Sequence, residues 1–280
     1  MNRITVLFPK IFGKINHIRT RGGVTVVDIE FDHIIHYIKG LNHFEFPGEY
    51  LTIQKGGQHE KLGTFNRLVH IDLKYIELID IFDKGKIKHQ SKTHEGKYSF
   101  ATSIMANGYK QGFKKICFRT HDIHKLKSQF KERGLETIGP VKMTRYNKKG
   151  NLIEWQLLYV NDHEYDMMMP FFIQWNKDDE TRQADLESSF QRHLDIDMVE
   201  FKTHQCHTMV DQWKKWFDMQ VIEESDKYTL LYSPAQKVKF KITEGREDII
   251  DTLHLVDQTI DAPILIRTRG ANYQFIPPYA

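Results

Sequence analysis

Hydrophobic and polar positions alternate along this chain in short runs punctuated by glycine, a pattern of strands more than of long helices. The run Val27-Asp28-Ile29-Glu30-Phe31-Asp32-His33-Ile34-Ile35-His36-Tyr37-Ile38 is rich in β-branched and aromatic residues and stops before Gly40, which predicts a strand. Residues 48–53 and 67–71 predict two shorter strands around a glycine-containing loop at 55–66, and the alternating stretch 74–82 predicts a fourth. Residues 83–96 turn basic and polar, as an exposed connection does, and 98–108 reads as a short helix.

The theme then repeats. Residues 113–120 predict a strand, and 121–133 predict a helix, with Ile123, Leu126 and Phe130 three and four apart and Gly134 closing it. Strands follow at 139–143, 152–160 and 169–175, the first two joined by the hairpin signal Lys148-Lys149-Gly150-Asn151. A third round places a strand at 198–202 and a helix at 206–219, with Met209, Val210, Trp213, Trp216 and Phe217 on one face. Strands at 228–232, 237–243 and 249–256 complete it. Three βαβββ-like segments constitute an internal repeat of pattern rather than of residue identity. The expected organisation is an arm at 1–25, a first module at 26–83, a connection at 84–112, a second module at 113–176 and a C-terminal module at 177–280.

Composition narrows the function classes. Hydrophobic residues make up 40% of the 280, enough for a sizeable core. Lys plus Arg total 40 against 37 for Asp plus Glu, and a net charge of +3 argues against gripping a nucleic-acid backbone. Cys117 and Cys206 are too few for a disulfide framework or a cysteine-built zinc site. No window runs 18 apolar residues without a charge, so a cytoplasmic protein with no membrane span is expected. The 15 histidines make a metal site the first chemistry to test.

One stretch carries a family resemblance. Gly56-Gly57-Gln58-His59-Glu60-Lys61-Leu62-Gly63-Thr64-Phe65-Asn66-Arg67-Leu68, preceded by Phe31-Asp32-His33-Ile34-Ile35-His36-Tyr37-Ile38 and followed by Tyr75-Ile76-Glu77-Leu78-Ile79, resembles the glyoxalase-like branch of the vicinal oxygen chelate superfamily. Phe118-Arg119-Thr120-His121-Asp122-Ile123 and the later Pro170-Phe171-Phe172-Ile173-Gln174-Trp175 are similar to the second module of that branch. The resemblance extends over residues 28–175. It implies an α+β fold of paired βαβββ modules curling into an incomplete barrel around a ligand; the repeat of pattern adds the C-terminal module as a related third. Metal-dependent members carry inward ligands on the first and last strands of each module. Carried over, the resemblance puts His33 and Glu77 at those positions in the first module and Lys115 and Gln174 in the second.

That set departs from a metal site. His33 and Glu77 have ligand chemistry, Gln174 offers an amide oxygen, and the Lys115 ammonium brings charge without a lone pair. Lys115 paired with Glu77 would instead replace a cation. His59, Asn66 and Arg67 on the family loop are candidates for the cavity rim, with Arg67 a two-pronged donor to an anion. The structural alternative is that the loop glycines set backbone shape while Asn66 and Arg67 tie the loop down. His204, Cys206 and His207 read better as an exposed strand-to-helix junction than as a metal cluster.

Two functions follow from the resemblance. In one, the modules enclose a small organic ligand and a divalent metal on His33 and Glu77 supports lyase, isomerase or dioxygenase chemistry. In the other, a metal-free module binds or sequesters a small molecule. Pairing into a homodimer is compatible with both.

Overall fold

The computed structural model describes residues 27–146, 150–165, 168–235 and 237–278, together with the backbone of a two-residue antiparallel pair, Thr20–Arg21 with Val24–Thr25. The rest of the expected arm at 1–25, and Lys148 and Lys149 of the hairpin signal, lie outside these residues.

The first module contributes β1 (Glu30–Tyr37), β2 (Gln54–His59), β3 (Thr64–His70) and β4 (Tyr75–Ile81). After α1 (Lys84–Gln90) and α2 (Phe100–Ala106), the second contributes β5 (Gly112–Arg119), α3 (Ile123–Glu132), β6 (Glu136–Tyr146), β7 (Leu152–Asn161) and β8 (Phe171–Trp175). Together they form one eight-stranded sheet in the order β2-β3-β4-β1-β5-β8-β7-β6. Within each module the first and last strands are parallel, and β1 and β5 join the modules antiparallel. The curl brings the two edge strands, β2 and β6, against each other. This is the curled, incomplete barrel of repeated βαβββ-like modules.

A helix α4 (Asp179–Leu186), capped by the Asp178 carboxylate on the Thr181 amide, leads to a second sheet. It comprises β9 (Leu194–Thr203), α5 (Cys206–Phe217), β10 (Gln220–Glu224), β11 (Tyr228–Tyr232), β12 (Lys239–Glu244), β13 (Ile249–Asp257), β14 (Ile264–Thr268) and β15 (Ala271–Ile276). The order β10-β11-β12-β9-β13-β15-β14 repeats the first sheet with one edge strand fewer. The C-terminal residues thus hold a βαβββ unit and three further strands.

The two sheets pack back to back through one core. Phe118 of β5 lies within 6.3 Å, ring centre to ring centre, of Phe31, Phe172, Phe217 and Phe240. Helices α3 and α5 pack between the sheets through Phe130 and Phe217. In the first module a loop takes the helix's place, and Phe46 of that loop packs edge-on against Tyr273. His36 of β1 crosses the same interface, its Nδ1 2.7 Å from the Tyr273 hydroxyl and its Nε2 3.1 Å from the Arg269 carbonyl. Burial pulls its pKa down to about 4, so this imidazole is neutral. A separate cluster on the opposite face of the first sheet, including Ile35, Ile79, Phe100 and Phe171, surrounds the cavity.

Several local expectations are corrected. Residues 48–53 form no strand; the strand is β2, five of whose six residues lie in the stretch that reads as a loop. Its sequence, Gln-Lys-Gly-Gly-Gln-His, has no apolar alternation because it is an edge strand with a bulge between Lys55 and Gln58. Helix α1 lies in the expected connection; only Ile87 of its seven residues is buried, too little to give a helical period.

Candidate functional site

A cavity of about 410 Å³ opens on the concave face of the first sheet, with His33, His59, Glu77, Phe171, Arg145 and Arg182 among its lining. Strand alternation alone would send Phe31 and His33 to one face. An extra residue, Asp32, bulges out of the β1–β5 ladder, so Phe31 enters the inter-sheet core while His33, Ile35 and Tyr37 face inward.

That bulge couples Asp32 to His33. The Asp32 carboxylate is fully buried and lies 2.7 Å from His33 Nδ1, receives the Trp175 indole N–H at 3.0 Å and sits 3.5 Å from the Arg182 guanidinium. Burial opposes its charge, but the His33 hydrogen bond, Arg182 and Arg119 together bring its pKa down to about 2. The other ring nitrogen, His33 Nε2, is buried without a hydrogen-bond partner, 3.4 Å from Glu77 Oε2. Burial would strip its proton; the adjoining Cys117 sulfur, Asp32 and Glu77 outweigh that and raise its pKa well above the ordinary histidine value. We assign the larger part of this to the two carboxylates, because burial keeps the Cys117 thiol uncharged, its own pKa pushed up to about 12.

Glu77 is held by the family loop. Asn66 Nδ2 donates to Glu77 Oε1 at 2.6 Å, and His59 Nε2 stands 3.9 Å from the same oxygen. Asn66 is itself fixed by the Gly57 amide, which donates to its Oδ1 at 2.8 Å. A Cβ on Gly56 would come within 2.0 Å of that oxygen, which accounts for glycine there. Burial also opposes the charge on Glu77, and His33, His59 and Asn66 reverse this and lower its pKa. His59, buried beside Arg145 and His33, is shifted down despite Glu77.

The expected residues therefore divide. His33, Glu77, His59 and Asn66 come together, whereas Arg67, Lys115 and Gln174 do not line the cavity. Arg67 donates to the Leu41 and Phe44 carbonyls and fastens the loop that stands in for a helix. Lys115 donates to the Met169 carbonyl at 3.0 Å rather than pairing with Glu77. Gln174 caps α3, accepting from the Ile123 amide and donating to the His121 carbonyl. Strand pairing shows the true counterparts: His33 pairs with Cys117, and Ile173 occupies in β8 the place of Glu77 in β4. Cys117 lies two residues beyond Lys115 on β5 and Ile173 one before Gln174 on β8, and a one-residue slip reverses a side chain's face. Asp32, His70, Arg145, Trp175 and Arg182 were missed; only Asp32 was signalled, by its place next to His33.

Two groups of metal-ligating side chains lie within chelating distance among the described residues: Asp32, His33 and Cys117, and Glu30, His121 and Asp179. In the second, Arg119 bridges Glu30 and Asp179, and Arg182 adds a further pair to Asp179, so each carboxylate already has a cation partner. In the first, Asp32 is already engaged by His33, Trp175 and Arg182, which suits it to orient an imidazole rather than bind an ion. The donors left for a cation are the unpartnered His33 Nε2, Glu77 and, beyond it, His59. Two imidazoles and a carboxylate on one wall fit a divalent ion with open positions; the second module adds only Cys117 and Ile173.

No helix among the described residues is long and apolar enough to cross a membrane. The family model for the glyoxalase-like domain matches residues 31–217. No curated protein matches the sequence. Among solved structures, a hypothetical protein from Staphylococcus aureus is 40% identical, with 89% of this chain and 99% of that one covered at a TM-score of 0.87. A fusion of a xylose isomerase-like TIM barrel with a 4-hydroxyphenylpyruvate dioxygenase is 11% identical, with 81% of this chain and 36% of that one covered at a TM-score of 0.50, a likeness of fold alone. Bulged strand, glycine-rich loop, curled sheet and sequence match agree: the chain belongs to the glyoxalase-like domain family.

Proposed function

We propose that the chain is an enzyme acting on a small organic molecule in the cavity of the first sheet, with His33 and Glu77 as ligands of one divalent metal ion. The supporting observation is the buried His33 Nε2, without a hydrogen-bond partner, 3.4 Å from Glu77 and backed on its other nitrogen by Asp32. A bound ion would supply Lewis-acid polarisation of two neighbouring substrate oxygens, a need shared by lyase, isomerase and dioxygenase chemistry. The chain's own part is orientation and exclusion of water. Asp32 fixes the His33 tautomer and ring plane, Asn66 holds the Glu77 carboxylate, and Phe100, Trp155 and Phe171 keep the floor apolar.

With no ion bound, His33 keeps its proton well above the usual histidine range, so a metal must displace that proton. Uptake should therefore weaken as pH falls. Equilibrium dialysis of the purified protein against zinc, manganese and cobalt at several pH values tests this, and absence of uptake for all three would remove the metal role. The second reading, a metal-free binding module, is favoured by Cys117 and Ile173 standing where the second module would add ligands.

A further inference from the structure

The cavity contains a second polar station that the metal reading leaves unused. His70, at the end of β3, is 6% exposed, lines the cavity, and has an Nδ1 with no hydrogen-bond partner. Tyr75 separates it from the floor, its ring stacked on His33 at 4.5 Å and tilted against His70 at 5.4 Å. Burial, together with Arg145 and Arg182, holds the His70 pKa down at about 4, so a neutral imidazole faces the ligand space. A buried imidazole nitrogen left unpaired is costly, and a ligand group that meets it recovers that cost.

The cations around this station are not equivalent. Arg182 is committed, donating to Asp179 at 3.0 Å, lying 3.5 Å from Asp32 and stacking on the Trp175 ring at 4.5 Å. Lys177 is paired with Asp185 at 2.6 Å. Arg145 is half-buried on β6, and its side chain has no hydrogen bond or ion pair among the described residues. Its guanidinium reaches across the seam to β2, where a Cβ on Gly57 would meet Nη1 at 3.0 Å. This glycine leaves room for a planar two-pronged donor beside the cavity.

From this the geometry points to an organic monocarboxylate as the ligand class: its carboxylate on the Arg145 fork with His70 Nδ1 beside it, its apolar body running past Tyr75 toward the His33–Glu77 floor. A guanidinium presents two parallel N–H groups to a planar carboxylate, which a lysine does not. The 410 Å³ cavity and its aromatic walls suit a body of one ring or a short branched chain. The assignment rests on the cavity's being the substrate site, as proposed above, but not on the metal.

Benzoate and phenylacetate, with benzamide and phenylacetamide as uncharged matches, are titrated against the intact protein by calorimetry and tryptophan fluorescence. The carboxylates bind and the amides bind about tenfold more weakly or not at all, while Arg145→Gln removes that preference at a cost of about tenfold or more in carboxylate affinity. Arg145→Lys retains only part of it. Metal uptake by Arg145→Gln is unchanged, and the native protein dialysed against a chelator keeps the carboxylate preference, so failure of the metal reading leaves this one standing. Equal affinity for acid and amide, undetectable binding of every probe, or undiminished carboxylate affinity in Arg145→Gln overturns the assignment. Circular dichroism of each variant confirms that a loss is not unfolding.

Discussion

The two sheets of this protein are built on one plan and furnished for different ends. In both, the central antiparallel pair carries the same two irregularities: an extra aspartate on the first strand, Asp32 or Asp197, and a skipped residue on the second, Lys114 or Asp251. Counting from these bulges, Met198 takes the place of His33, His254 that of Cys117, and Lys241 that of Glu77. The backbone device that turns His33 inward is thus present twice, and each copy sets an imidazole Nε2 without a hydrogen-bond partner near a carboxylate, His33 near Glu77 and His254 near Glu200; of the two imidazoles, His33 lines the cavity. In the second, Glu200 lies 3.4 Å from Lys241 and 3.5 Å from His254, and Asp197 pairs with Lys239 at 2.9 Å. There the Lys241 ammonium, in the place of Glu77, offsets the charge of the Glu200 carboxylate beside His254, where the first sheet has no such cation against Glu77 among the described residues. A bulge provides orientation; the residue placed on it decides whether orientation becomes a site.

The sharpest way to break the comparison is to ask whether the sheets are independent. Phe118 is fully buried between them, so Phe118→Ala should cost about 3–5 kcal/mol. Denaturant unfolding followed by tryptophan fluorescence and circular dichroism should still show one transition. Two separated transitions would mean that the sheets fold as separate units.

A smaller effect comes from pH at the same interface. His36 has its pKa depressed to about 4, so the folded state binds fewer protons there than the unfolded chain, whose histidine titrates near 6.5. Its contribution is complete above about pH 6.5 and is lost as pH falls toward 4, on the order of 3 kcal/mol at about 1.4 kcal/mol per unit. Chemical denaturation between pH 7 and 4.5 should show the loss, and His36→Phe should flatten that slope. An unchanged slope in the variant would place the titration elsewhere, His59 and His70 being the other depressed imidazoles.

The paired aspartates give a finer contrast. Asp32→Asn should weaken divalent-metal affinity by about ten- to a hundredfold, because it removes the charge behind His33, whereas Asp197→Asn should leave affinity unchanged. Equal effects would show that the bulges act only on stability. Last, Glu200→Gln in the second sheet, where the partners are partly exposed, should change stability by no more than about 1 kcal/mol and ligand binding not at all; thermal denaturation and the benzoate titration check both.

The same contrast explains what the sequence made legible. The modules, and the residues His33, His59, Asn66 and Glu77, could be found because the glycine-rich loop is a local motif whose spacing survives in one stretch of chain. The second-module positions could not, because the bulge at Asp32 offsets the alternation between β1 and β5, and residue-by-residue alignment then selects Lys115 and Gln174 instead of Cys117 and Ile173. The second sheet's kinship to the site was hidden since Met198 and Lys241 share no chemistry with His33 and Glu77. His70, Arg145 and Arg182 reach the cavity from three separate elements, and only the closing of β2 against β6 brings Arg145 within reach of it.

The central claim is that the first sheet alone holds a metal, through His33 and Glu77. Its most direct test is the stoichiometry of zinc or manganese bound at neutral pH to the native chain, to His33→Ala and to His254→Ala. One equivalent in the native chain and in His254→Ala, with none in His33→Ala, is the predicted result. Uptake that survives in His33→Ala, or no uptake by the native chain, would contradict it.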